Sequence, residues 1–381
     1  MRFSSRGQVD PFIVMDVVET ARAAEAAGRD IVHMEVGQPS TPAPAAARAK
    51  LIAALARDAM GYTVALGRPE LRAGVAEYYR RVYGVDLDPR RVVITSGSSG
   101  AFLLAFSALF DAGDKVALGE PGYPSYRQIL RAMSVEPVGI QTRPENRYQP
   151  LPEEIPEGVK GLMLASPGNP SSTMLGRDEL AALIAAAQAR GIAVISDEIY
   201  HGLDYGKRAV TALEVSDDVY VINSFSKYFS MTGWRIGWMV VPEAHLRTVE
   251  RLAQNMFICP PHASQIAALG ALEAIDELEA NRAVYAKNRT LMLETLPRIG
   301  FDKIAPPDGA FYVYADVSDL TGDSRELARE ILEEAGVAVT PGLDFDPIRG
   351  AQTLRFSYAQ STERIEEGLR RLQAFMAARG H

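Results

Sequence analysis

The sequence predicts an α/β fold: a mostly parallel, doubly wound sheet in a large domain, accompanied by a smaller α+β domain. Three observations predict it. Short runs that are apolar on consecutive positions recur up to about residue 240, with helical patterns between them, and strands buried on both faces read this way. Turns rich in Gly, Pro and Ser follow several of these runs, as expected where ligands gather beyond the carboxyl ends of an open parallel sheet. After about residue 275 the elements shorten and the strands become less uniformly apolar.

In chain order, residues 1–45 form an N-terminal arm and part of the small domain, with a Pro-rich connection, VGQPSTPAPAA, near residue 40. Residues 46–275 form the large domain. Its strands are RVVIT (91–95), DKVALGE (114–120), GLMLAS (161–166), IAVISDE (192–198), DVYVINS (218–224) and IGWMVV (236–241). Alanine-rich stretches such as LAALIAAAQARG supply helices between them. Residues 276–381 form the small C-terminal domain. A long helical stretch, ASQIAALGALEAIDELEANRAVYAKNRTLMLETL, leads into GAFYVYADV, the helix-like DSRELAREILEEAG, VAVTPG and TLRFSYA.

Composition narrows the function. At 47% hydrophobic and 23% charged residues the chain reads as globular. A formal net charge of −8 argues against a general affinity for nucleic acid or acidic membranes. Cys259 is the only cysteine, which excludes an intrachain disulfide and suits a reducing compartment. The first 25 residues lack the apolar core of a signal peptide and no segment has the length of a membrane span. The expectation is a cytoplasmic protein. The five histidines lack metal-ligand spacing, and no metal is expected. Of them, His201 is nearest the chemistry because it follows Tyr200.

The strand ends carry polar residues. SGSSGAFLLAF opens a helix on a small-residue turn whose free N–H groups suit a phosphate, or else is a turn with a serine cap. It is neither G-x-G-x-x-G nor a P-loop, which disfavours a nucleotide. Tyr123 in PGYPSY could stack on a flat ring or simply pack. Asn169 in PGNPSS is a turn asparagine or a fixed amide donor. Asp197 ends a buried strand, where it caps a helix or serves a ligand, and Tyr200 follows it. Lys227 in SFSKYFSMTGWRIGW follows another buried strand, where a lysine is costly unless something uses its charge. A phosphorylated pyridine aldehyde makes these pieces mutually necessary: it needs a lysine, an anion for its ring nitrogen, a ring to stack on and a phosphate cup.

The chain also resembles the class I and II aminotransferases of the fold-type I pyridoxal phosphate enzymes along nearly its whole length. The segments that carry the likeness, in order, are VGQPSTPAP, GYTVALGRPELR, TSGSSGA, PGYPSY, SPGNPSS, SDEIY, SFSKYFSMTGWRIGW and LRFSYA. The resemblance implies pyridoxal 5'-phosphate as cofactor, with Lys227 as Schiff-base lysine and proton carrier and Asp197 as partner of the pyridinium nitrogen. It implies that Tyr200 and Asn169 bond the ring's phenolic oxygen and that Tyr123 stacks on the ring. Ser98, Ser99, Ser224 and Arg235 would hold the phosphate, with Tyr62 reaching it across a homodimer interface. Arg355 would grip the substrate α-carboxylate, close to Gly37.

The activity so implied is transfer of an amino group from an L-amino acid to a 2-oxo acid, with 2-oxoglutarate the expected acceptor. Where some aspartate-specific relatives carry a lysine near position 99 this chain has serine, which points to a donor with a neutral side chain. Arg22, Arg68 and Arg127 lie in regions that could approach the site. A β-eliminating lyase or a decarboxylase on the same scaffold would share the lysine and aspartate, and a pyridoxal phosphate-binding regulatory module is a further alternative. An NAD-dependent dehydrogenase would need a dinucleotide turn that the strands do not offer.

Overall fold

In the computed structural model, which describes residues 1–380, the chain begins with α1 (Ile13–Ala26), β1 (Val32–His33), α2 (Ala45–Leu55) and α3 (Pro69–Tyr83). It continues through β2 (Val92–Thr95), α4 (Gly97–Leu109), β3 (Lys115–Glu120), α5 (Pro124–Ala132), β4 (Glu136–Gln141), β5 (Gly161–Ala165), α6 (Arg177–Gln188) and β6 (Ala193–Asp197). Next come β7 (Tyr220–Ser224), β8 (Gly237–Val240), α7 (Leu246–Met256), α8 (His262–Ala271) and α9 (Ile275–Thr295). The last stretch holds β9 (Lys303–Ile304), β10 (Tyr312–Asp316), α10 (Ser324–Glu330), β11 (Val337–Ala338), β12 (Thr340–Pro341), β13 (Thr353–Ser357) and α11 (Thr362–Ala378).

Among the described residues β2 to β8 form a seven-stranded sheet in the order β2-β8-β7-β6-β5-β3-β4. It is parallel except for β8, which runs against both neighbours. Alternate residues feed two separate cores. Leu162, Leu164, Val194 and Val221 pack on one face with Leu71 and Tyr79 of α3 and Leu183 of α6. Met163, Ile195, Tyr220 and Ile222 pack on the other with Phe102 and Phe106 of α4 and Val249 of α7. Burial on both faces is why these strands read as continuous apolar runs.

A four-stranded antiparallel sheet, β12-β13-β10-β9, lies in the last third of the chain. The arm joins this part through β1, which pairs parallel with β11. Two expectations need refining. β4 is a strand without a continuous apolar run to announce it, because it lies at the sheet edge, contains Pro137 and is half exposed. The long helical stretch is two helices, α8 and α9, separated at residues 272–274. Gly270 of α8 explains how α2 packs so close, since a Cβ there would lie 2.5 Å from the Ala46 carbonyl oxygen. Among the described residues no helix is long and apolar enough to cross a membrane.

The parallel strands end together. The residues following β2, β3, β5, β6 and β7 are therefore gathered at the carboxyl end of the sheet, where Tyr312 of β10 and Arg355 of β13 line a shared cleft with them.

Candidate active site

The junction holds a cleft of about 220 Å³. Ten of the expected residues line it: Gly37, Ser98, Ser99, Tyr123, Asn169, Asp197, Tyr200, Lys227, Arg235 and Arg355. They come from turns after five parallel strands, from the arm and from β13, so the fold assembles them rather than local sequence.

Lys227 Nζ donates to the Gly37 carbonyl at 2.5 Å. Burial, then the nearby Arg355 and Arg235 charges, push its pKa down to about 8, with Asp197 opposing them. At pH 7 about a tenth of such amines are free, far more than for an ordinary lysine. Asp197 closes β6 with its Oδ1 accepting from Ile199 N at 3.0 Å and its Oδ2 from the Tyr126 hydroxyl. Burial pushes Asp197 up to about 6 despite those donors and Lys227. A cation brought against it would return it to the ionised state.

Arg355 is 2% exposed. It lies 4.3 Å from the Tyr312 ring centre and 4.7 Å from that of Phe345. Its Nη1 donates to Asn169 Oδ1 at 2.9 Å and its Nη2 to the Glu35 carbonyl at 2.5 Å, while Nε has no partner among the described residues. Because arginine only donates, Asn169 must turn its Oδ1 to it, which frees the amide N–H groups for a ligand. The Tyr200 hydroxyl lies 2.8 Å from that of Tyr312. Gly37 is required by close approach: a Cβ there would stand 1.8 Å from Tyr312 Oη.

Arg235 has φ 49°, a conformation costly for a non-glycine residue. It folds the guanidinium over the start of α4, where a Cβ on Gly97 would lie 2.6 Å from Arg235 Nη2. The same helix has no side-chain cap, so its first N–H groups, near Ser98 and Ser99, are available to an anion. Among the described residues the cleft walls carry three cations, Lys227, Arg235 and Arg355, against one carboxylate, Asp197. That surplus fits one phosphate and one carboxylate, and the residues present fit a phosphorylated pyridine aldehyde.

Two expected residues lie off the wall. Ser224 is buried behind it, its Oγ 3.0 Å from the Ile236 carbonyl and 2.9 Å from Ser226 Oγ, and it is Ser226 that faces the cleft. Tyr62 is 83% exposed on a loop held to α8 by His262 Nδ1 on the Gly61 carbonyl, 2.9 Å, and Gln265 Nε2 on Thr63 Oγ1, 3.0 Å.

Sequence reasoning missed Tyr126, Tyr312 and the apolar wall of Phe12, Val14 and Met15. Tyr126 could have been found, since it stands one helical turn beyond Tyr123 on the same helix face. Of the three arginines left unplaced, Arg127 binds Glu120 at 2.7 Å and Arg68 binds His262 at 2.7 Å, both outside the cleft. Arg22 is also outside it.

The family described as "Aminotransferase class I and II" matches residues 29–372. The valine–pyruvate aminotransferase of Mycobacterium tuberculosis is 48% identical, over 98% of each chain. The crystal structure of an aminotransferase from Mycobacterium tuberculosis superposes with a TM-score of 0.97 at 48% identity, covering 99% of this chain and 100% of that one. The aspartate aminotransferase of Thermus thermophilus with maleate gives a TM-score of 0.92 at 33% identity, covering 98% and 100%. With a fold whose parallel strand ends converge on a buried lysine, an aspartate and two arginines, and with likeness along its whole length, the chain belongs to the class I and II aminotransferase family.

Proposed function

We propose that this aminotransferase uses pyridoxal 5'-phosphate to move the amino group of an apolar L-amino acid onto a 2-oxo acid. The observation that carries the reading is the cleft's charge inventory, three cations facing one carboxylate around Lys227. The cofactor, when bound, supplies an aldehyde carbon and an electron-withdrawing ring that spreads the charge left on the substrate's Cα. Lys227 would hold it through Nζ and, once free, carry the proton to and from Cα, a task its lowered pKa suits. Asp197 would stay ionised against the ring nitrogen, steadied by Tyr126. Tyr123 would cover the ring, and Tyr200 and Asn169 would bond its phenolic oxygen. Arg235, Ser98, Ser99 and the Ser224–Ser226 hydroxyl pair would hold the phosphate. Arg355, with an unpartnered Nε and Gly37 beside it, would take the substrate carboxylate.

Phe12, Val14 and Met15 give the donor side chain an apolar wall. Among the described residues a second carboxylate would find no further cation on the walls of one protomer's cleft. This favours pyruvate, which the Mycobacterium tuberculosis relative's name carries, over 2-oxoglutarate, the acceptor expected from the sequence. We also infer a cytoplasmic homodimer, in which exposed Tyr62 reaches the partner's phosphate and the arm completes the shared sites. The boundaries at residues 46 and 276 are part of the same reading. Full activity from a monomer at micromolar concentration would end the dimer proposal.

The test is the visible absorption of the holoenzyme as amino acids are added singly, followed by pyruvate or 2-oxoglutarate. Loss of the pyridoxal band with apolar donors and its recovery by pyruvate is expected. An unchanged band with release of ammonia or carbon dioxide would instead support elimination or decarboxylation.

A further inference from the structure

α1 is a partition between two cavities. Val14 and Met15, with Phe12 just before the helix, line the cleft, while Ile13, Asp16, Val17 and Thr20 line a groove of about 810 Å³ on the other side. Only Val14, Val18 and Ala21 of its fourteen residues are buried. A helix so thinly packed takes its position from few contacts.

Its first turn has an unusual tie. Phe12 stands at the N-cap and offers no acceptor. The acceptor comes instead from the loop between β12 and β13, where Asp344 Oδ1 takes Ile13 N at 3.0 Å and Oδ2 takes Val14 N at 2.9 Å. Both carboxylate oxygens are thus spent on adjacent N–H groups at the positive end of the helix. Asp344 is 5% exposed and is not on the cleft wall. Next to it, Phe345 packs on Val14 and Tyr314, and its carbonyl accepts from Gly122 N at 3.0 Å. Another tie, Asp10 with Arg131 at 2.7 Å, is exposed and holds weakly.

We propose that Asp344 is a positioning residue for donor selectivity: its carboxylate fixes the first turn of α1, and so where Phe12, Val14 and Met15 meet the donor's side chain. The proposal rests on those three residues forming the side-chain wall. It predicts a change in the ratio between donors that reach that wall and donors that do not, because Asp344 touches neither the cofactor site nor Lys227 and its Coulombic coupling to Arg355 acts on every donor's carboxylate alike.

The experiment compares kcat/KM for L-leucine and L-alanine in the holoenzymes of Asp344→Asn and Asp344→Ala. For Asp344→Ala the leucine/alanine ratio should fall about tenfold, through KM for leucine, with alanine turnover and the cofactor's absorption kept. A tenfold change is about 1.4 kcal/mol. Asp344→Asn, which retains one acceptor and guards against a fold that fails without the side chain, should fall between that and the parent. An unchanged ratio in both variants, or an equal loss for both donors, overturns the positioning role. Val14→Ala separates the two layers. If it leaves the ratio unaltered, the wall reading fails and the proposal with it; if it lowers the ratio while the Asp344 variants do not, only the role of Asp344 fails.

Discussion

Gly37→Ala isolates the tightest approach in the site. The added Cβ would stand 1.8 Å from Tyr312 Oη and 2.9 Å from Cζ, so the hydroxyl must retreat by roughly 1.6 Å to reach van der Waals separation. Tyr312 is 1% exposed and has little room to do so. Moving it stretches the 2.8 Å contact with Tyr200 and slides the ring that lies 4.3 Å from Arg355. Overpacking costs about 1–3 kcal/mol of stability, and a 1 Å misplacement near reacting groups can cost about 10²-fold in rate. We expect kcat/KM to fall about a hundredfold, measured by single-turnover absorption with an apolar donor. Tyr312→Phe in the same chain removes the atom at 1.8 Å, leaving the ring edge at 2.9 Å, and should restore roughly a tenfold part of the loss. Parent-like kcat/KM in Gly37→Ala, or a double variant worse than the single one, would refute the argument.

Lys227→Ala should fold and bind cofactor weakly but not transaminate, and near-parent turnover in amino-group transfer assays would remove its central role. Arg355→Ala should weaken amino-acid binding by at least about 10²-fold, the worth of a charge-assisted carboxylate contact of about 3 kcal/mol, with cofactor binding little changed; unaltered KM counts against it. Glu198, fully buried beside Asp197, is pushed up to about 8 by burial, against hydrogen bonds from Ala212 N, Thr211 and Ser196. From its ordinary value near 4.5 to about 8 the folded chain holds a proton the unfolded chain has released. Glu198 therefore makes stability decline as pH rises through that window, by at most ~1.4 kcal/mol per pH unit. Glu198→Gln should flatten this slope in urea midpoints of the apoprotein, and an identical slope in the variant would show that Glu198 is not its source.

What could be read from the sequence follows from how local each feature is. Strands such as Val92–Thr95 and Leu162–Leu164 were legible because two-sided burial writes itself into consecutive residues, whereas β4, half exposed at the edge, left no such pattern. Lys227 stood out because a lysine after a buried strand is costly unless used, but Arg235, eight positions further on, and Arg355 took their roles only from the resemblance. The Gly37, Tyr200 and Tyr312 contact joins the arm, the turn after β6 and the first residue of β10, and no window of sequence contains it. The Asp344 tie to α1 spans more than three hundred residues and breaks the local rule for helix caps, since Phe12 occupies the position where a capping side chain would be sought. The groups proposed to do chemistry thus lie mainly on the end of one sheet and are read from that sheet's own strands. Those proposed to shape the donor pocket lie where the arm meets the second sheet. It follows that substitutions in the arm, or in the loop that holds it, can change the donor while the chemistry stays in place, and selectivity is the property to measure there.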